Sequence, residues 1–240
     1  MKIVIAMDSF KGSLSSLEAG DAVRDGILKV YPEARVLVCP LADGGEGTVD
    51  VQNPLFGESG ASAVYGPQKG ATPEMVADMD RWMTEYARLS AEIFPEADPL
   101  YPGAGAAGGI GFAFRTFLHA KLESGIGIVL DEIGLEKQVK DADYVITGEG
   151  RLDRQTAYGK APVGVAKIAK QFDKPVLAFA GSVTPEATEC NAHGIDAFFP
   201  ILRSVQTLEQ AMEPEQARNN LRDTAEQVFR LIKACKKQEF

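Results

Sequence analysis

Residues 1–30, MKIVIAMDSFKGSLSSLEAGDAVRDGILKV, decide the fold class. A short apolar run, 2–7, reads as a strand. It breaks into a loop holding Asp8, Lys11 and Gly12, and a helical pattern over 13–30 follows. Ser15 or Ser16 is placed to cap that helix, with Glu18 in its first turn. The unit then repeats along the chain. Apolar runs at 35–39, 144–147, 176–180 and 197–201 end in turn-rich segments and alternate with longer helical patterns, among them 73–94 and 215–237. Such alternation predicts an α/β domain with a doubly wound, mostly parallel sheet and helices on both faces. Ligands of such sheets gather beyond the strand ends.

Composition narrows the partners. The 240 residues carry a formal charge of −9, and lysine and arginine are scattered rather than banded. Counterion release then gives nucleic acid little purchase, and an anionic membrane is an equally poor partner. The N-terminus enters a strand at once, without the apolar stretch of a signal peptide, so a cytoplasmic location is expected. Cys39, Cys190 and Cys235 stand far apart in no metal-ligand pattern and are expected to be reduced thiols. One domain over 1–240 is the expected organisation.

Met75, Met79, Trp82, Met83, Tyr86 and Leu89 recur at three-and-four spacing within 73–94 and predict a core-facing stripe. The glycine-dense turn Gly103 to Gly111 precedes a helix over 112–118. It serves either to present bare amides to an anion or to let backbones pack closely.

Four segments carry possible chemistry. Asp8 and Lys11 follow the first strand, where a carboxylate and an ammonium could hold a metal–phosphate group. Asp43, Gly44, Gly45, Glu46 and Thr48 follow the second; this turn has neither the lysine and hydroxyl of a P-loop nor a GxGxxG spacing. Gly148, Glu149, Arg151 and Asp153 follow the 144–147 strand, with Lys160 beyond, and acid, arginine and acid around a glycine turn suit magnesium with phosphate. Lys69, in the turn 66–70, could meet a phosphate or merely cap a turn. Each segment alone has an ordinary structural reading. Together they imply one anionic-ligand site, because strand-end loops converge in a doubly wound sheet.

The stretches AMDSFKGSLSS (6–16), LADGGEGT (41–48), NPLFGESGASAVYGPQKGAT (53–72), PGAGAAGGIG (102–111), ITGEGRLDRQTAYGKAPVGVA (146–166) and HGIDAFFPI (193–201) resemble the successive signatures of bacterial class I glycerate kinases. The resemblance implies a flavodoxin-like domain formed by both chain ends, with a second domain inserted between them. It implies transfer of the ATP γ-phosphoryl group to the 2-hydroxyl of D-glycerate, with Mg²⁺. Carried over residue by residue, it suggests Asp43 and Asp153 for magnesium or for activating the glycerate hydroxyl, and Lys11 and Lys69 for phosphate charge. Arg151 would take the glycerate carboxylate or a phosphate, and Asp8, Gly44, Gly45, Glu46, Gly148 and Glu149 fall in nucleotide-side stretches.

The sequence departs from the family at 48–53, TVDVQN, where segments separated by a domain-sized stretch in the family are joined directly. The glycine-rich GGSATNDGG-type signature is absent too. The expectation is a single flavodoxin-like domain assembled from 1–49 and 50–240 at a seam near Val49 to Val51, impaired in catalysis and a monomer or weak homodimer. A rival reading is an excised or engineered scaffold that binds nothing strongly. A flavin-binding or receiver module rests on fold analogy alone.

Overall fold

The computed structural model describes residues 1–41, 52–122, 125–157 and 159–236. In chain order the elements are β1 (Lys2–Ile5), α1 (Ser16–Val30), β2 (Arg35–Val38), α2 (Ala61–Tyr65), α3 (Pro73–Ile93), α4 (Ile110–Leu118), α5 (Gly125–Glu132), α6 (Leu135–Val139) and β3 (Tyr144–Leu152). After these come α7 (Arg154–Ala157), α8 (Ala161–Lys170), β4 (Val176–Val183), α9 (Glu189–Ala192), β5 (Ala197–Pro200), α10 (Leu208–Met212) and α11 (Pro214–Lys236).

The sequence reading drew one domain, whereas the contacts group into two compact units: Met1–Gly44 with Ile126–Phe240, and Gly45–Gly125. The reason lies in the middle segment, which buries a small apolar cluster of its own around Leu55, Ala87, Ala104 and Phe112.

The first unit is the α/β domain. Its five strands are all parallel in the order β2-β1-β3-β4-β5. Successive side chains of β1 point to opposite faces, as the pleat requires. Ile3 and Ile5 pack with Val23 and Ile27 of α1 and Leu221 and Phe229 of α11. Val4 packs on the other face with Leu135, Val139, Val163 and Val165. Burial on both faces explains why the strands read as continuous apolar runs. The order reverses between β1 and β3, and the crevice beyond those two strands is where such a sheet takes ligands.

Helix α1 starts as its sequence requires: the Ser15 side chain accepts from the Glu18 amide, and the Glu18 carboxylate accepts from the Ser15 amide at 2.9 Å. Two strands run past their predicted ends. The sequence pattern ends β3 at Thr147 and β4 at Ala180, whereas the strands continue to Leu152 and Val183. Gly148, Glu149 and Arg151 therefore lie on a strand, not in the loop after it. A Cβ on Gly148 would stand 2.1 Å from the Phe179 carbonyl oxygen, so only glycine lets these backbones stay paired here.

In the second unit, α3 corrects the core-stripe expectation. Met83, Tyr86, Ala87 and Ser90 turn inward, with Tyr86 edge-on to Phe112 at 5.3 Å. Met75, Trp82 and Leu89 are 52%, 66% and 47% exposed, and Met79 is half-buried. A unit this small has no second layer to cover both sides of the stripe. The glycine turn before α4 serves backbone packing: the Gly105 amide donates to the Asn53 carbonyl and the Phe112 amide to the Ala104 carbonyl, both at 2.9 Å.

The α1–α11 contact is close enough to be tested directly. A Cβ at Gly26 would lie 2.2 Å from the Arg222 carbonyl oxygen. Gly26→Ala should lower stability by about 1–3 kcal/mol, through overpacking that outweighs the gain in helix propensity, and urea unfolding monitored by circular dichroism measures it.

Candidate active site

The crevice beyond β1 and β3 is built from backbone first. The ladder between these strands runs on past Ile5, with the Ala6 amide donating to the Ile146 carbonyl and the Asp8 amide to the Gly148 carbonyl, both at 2.8 Å. The loop after β1 folds back on itself through paired bonds between Phe10 and Leu14, and Gly12 takes a left-handed φ of 76°. It rests against β3, since a Cβ on Gly150 would meet the Phe10 Cα and the Lys11 amide nitrogen at 3.5 and 3.6 Å. The Ser16 hydroxyl, buried beneath this loop, donates to the Met7 carbonyl at 2.6 Å and accepts from the Leu41 amide at 2.8 Å. One side chain thus ties the end of β1 to the start of the segment that carries Asp43.

Glu149, on β3, is the buried acid of this crevice. Its residue is 8% exposed, and Oε1 accepts from the Thr156 hydroxyl at 2.6 Å. Lys160 Nζ lies 3.8 Å from Glu149 Oε2 and 3.7 Å from Asp153 Oδ1. Burial pushes the Glu149 carboxyl up to about 7, further raised by Asp8 and Asp153 and opposed by Lys160 and the Thr156 hydroxyl. Thr156 is itself fixed: its hydroxyl accepts from the Asp153 amide at 3.2 Å, while Asp153 Oδ1 accepts from the Gln155 and Thr156 amides at 2.9 and 3.3 Å. Asp153 Oδ1 is held by the start of α7, and its other oxygen lies 3.8 Å from Arg151 Nε. Arg151 is 65% exposed and reaches outward, and the Lys11 residue is exposed as well. The same carboxylates bear on the buried Cys190, where burial first and then Glu149, Asp153 and Glu189 push the thiol up to about 11.

The structure therefore brings Asp8, Lys11, Gly148, Glu149, Arg151 and Asp153 to one crevice. Lys69 ends a 3₁₀ turn, Pro67–Lys69, in the other compact unit. Asp43, Gly44, Gly45 and Glu46 lie outside the described residues. Sequence reasoning assigned no role to Thr156 and offered Ser16 only as an alternative to Ser15 for capping α1, whereas Ser15 is the cap and the Ser16 hydroxyl bonds Met7 and Leu41 instead. The first was findable, since Asp153 and Thr156 stand three apart at a helix start, the spacing of a reciprocal cap. The second had no local signal, because its partners are 9 and 25 residues away.

The glycerate kinase family model matches residues 3–51 and 48–233. The chain belongs to the glycerate kinase family. It is 47% identical over 177 residues to a glycerate kinase of Halalkalibacterium halodurans, covering 72% of this chain and 47% of that protein. Against the glycerate 2-kinase of Escherichia coli K12 it is 47% identical over 162 residues, covering 68% of this chain and 42% of the relative. A crystal structure from Salmonella typhimurium LT2, assigned as a glycerate kinase 2, superposes with a TM-score of 0.74 at 32% identity, covering 99% of each chain. The chain spans about half the length of the curated relatives it matches. No helix among the described residues is long and apolar enough to cross a membrane.

Glu149 makes stability depend on pH with a definite sign. Its folded-state value near 7 lies above its ordinary 4.5. Between those values the native state binds more protons than the unfolded chain, so stability falls as pH rises through the window. Glu149→Gln keeps an acceptor for Thr156 and removes the charge. Urea titrations from pH 4.5 to 8 should show a shallower slope for the variant and a gain of about 1–3 kcal/mol at pH 8.

Proposed function

We propose that this chain carries the nucleotide and phosphate side of a glycerate 2-kinase, whose reaction moves the ATP γ-phosphoryl group to the 2-hydroxyl of D-glycerate. The observation that carries the reading is the buried Glu149 carboxyl, flanked by Asp8 and Asp153, with Lys160 between two of the three acids. Such a cluster holds more negative charge than its lysine offsets, which suits a divalent cation arriving with phosphate. Among the described residues no group of three or more His, Cys, Asp or Glu forms a metal cage. Mg²⁺ needs none, since it takes one or two carboxylates and completes its shell with water and phosphate oxygens. Asp153 Oδ2 and Glu149 are the described groups placed to serve it, with Asp43 in the reading carried over from the family.

Bound Mg²⁺ would neutralise charge on the transferring phosphoryl group. The chain's own residues do the positioning. Lys160 Nζ holds a fixed positive charge over the crevice floor, and Thr156 locks the orientation of Glu149 Oε1. Arg151 reaches out to meet a carboxylate or phosphate with two parallel donors, the geometry guanidinium favours. Lys11, exposed on the loop against β3, adds a further positive charge. Asp153 or Asp43 would accept the glycerate hydroxyl proton.

The two family-model segments meet at 48–51, where the sequence reading placed its seam. The second segment runs unbroken from 48 to the end of the 45–125 unit and beyond. We read that unit as the retained later part of the family's inserted domain, the earlier part having been lost at the seam. Losing the earlier part of that domain should cost most of the turnover, because phosphoryl transfer depends on positioning in a closed, dry site.

Isothermal titration of Mg–ATP followed by an ADP-release assay with D-glycerate tests the reading, with the Escherichia coli relative as the active control. Binding is expected, with turnover at least 100-fold below the control. Lys160→Met should weaken Mg–ATP about tenfold, equivalent to about 1.4 kcal/mol. Turnover equal to the control would contradict the impairment. No binding would replace the kinase reading with that of a scaffold that binds nothing strongly.

A further inference from the structure

Thr147 lies on β3 two residues before Glu149. It is fully buried, and its hydroxyl oxygen has no hydrogen-bond partner among the described residues. Ser62 and Thr116 share that state in the other compact unit, whereas Thr147 belongs to the strand that carries the crevice acid. In a central strand the neighbouring backbone groups are committed to the ladder, so the hydroxyl finds no carbonyl to turn to. Valine has nearly the same shape and would fill the position without leaving a buried donor unpaired. The hydroxyl at 147 therefore costs stability that the sheet itself does not recover.

The pleat fixes the direction of this side chain. Val145 packs in the apolar cluster that holds Val163 and Val165 of α8, and Thr147 and Glu149 follow it at steps of two, so both face that side of the sheet. The flanking strands place alanines around the pair. Ala178 and Ala180 stand beside Thr147 and Glu149 on β4, and Ala6 stands beside Thr147 on β1, where the Ile5–Ile146 pairing runs on by one residue. No bulky strand neighbour separates the hydroxyl from the carboxylate.

Glu149 has the complementary deficit. Its Oε1 accepts from the Thr156 hydroxyl at 2.6 Å, whereas Lys160 Nζ stands 3.8 Å from Oε2, beyond hydrogen-bond length. Same-face residues on a strand have Cα atoms about 6.6 Å apart, a span that a threonine hydroxyl and a folded-back glutamate can close directly or through one water. We propose that Thr147 is a positioning residue for the cation that accompanies the nucleotide. In the nucleotide-bound state its hydroxyl donates to Glu149 Oε2, so that Thr147 and Thr156 fix one carboxylate oxygen each and leave the outer lone pairs aimed at the cation. The inference rests on the kinase reading, because it supposes a cation at Glu149.

Thermal unfolding of the ligand-free protein and isothermal titration with ATP, with and without Mg²⁺, test it on the full chain. Thr147→Val should melt about 2–4 °C higher than the unaltered chain, since it removes the unpaired donor. The same variant should bind Mg–ATP about tenfold more weakly, with no comparable loss for ATP in the presence of a chelator. Thr147→Ser, which restores the hydroxyl, should bind Mg–ATP within about twofold of the unaltered chain. Mg–ATP binding by Thr147→Val equal to that of the unaltered chain would overturn the inference and leave the kinase reading standing. A loss as large without Mg²⁺ as with it would also overturn it, because the effect would not pass through the cation. So would a lower melting temperature for Thr147→Val, which would show the hydroxyl to be satisfied in the free protein. No Mg–ATP binding by the unaltered chain would remove the kinase reading and this inference together.

Discussion

The parallel pairing of β3 with β4 continues past the point where most of the sheet's apolar residues end, and the candidate site depends on that continuation. Thr147, Gly148 and Glu149 pair with Ala178, Phe179 and Ala180. Because Gly148 carries no side chain, the Phe179 carbonyl can come close without breaking the ladder. Glu149 is carried by a strand in the middle of the sheet, which gives it a burial no surface loop could supply. The pairing with β1 on the other side sets Asp8 opposite the same stretch. A carboxylate held between two strands has little freedom to swing to water, and its proton affinity rises instead.

The charge arrangement follows from that placement. Lys160 stands at the start of α8 and is shared between Glu149 and Asp153, while the capping amides of α7 hold Asp153 Oδ1. The crevice thus has a floor of acids with one shared lysine and a rim carrying Arg151 and Lys11. On the proposed reading, a polyanion with its own cation would match both halves, the floor serving the metal and the rim the phosphates. The second unit obeys a different constraint. It is too small to enclose its longest helix, and the uncovered side of α3 is a direct consequence.

The fold class was legible because its signal is local and repeated. Strand, loop and helix in residues 1–30 gave the unit, and the parallel sheet with helices on both faces followed. Strand order was not legible, since it rests on contacts between segments more than a hundred residues apart, such as Ile3 with Tyr144. Strand length failed at Thr147 and Ala180 because glycines usually mark turns, while here they permit close pairing. The stripe on α3 illustrates the limit of periodicity: its spacing identifies an apolar face but not whether the same molecule covers it. The crevice acids were found as residue types near strand ends. Their division into a buried Glu149, a capped Asp153 and an outward Arg151 required three dimensions. Lys69 was grouped with them by motif alone and belongs to the other compact unit.

The central claim is that the fold buries Glu149 enough to make it titrate near neutrality. Carbon-13 NMR of the glutamate side-chain carboxyls, with Glu149 assigned from the spectrum of Glu149→Gln, measures this without reference to activity. The account predicts a midpoint near 7 in the ligand-free protein. A midpoint near the ordinary glutamate value of about 4.3 would mean that the carboxylate is solvated, and would contradict the site as described.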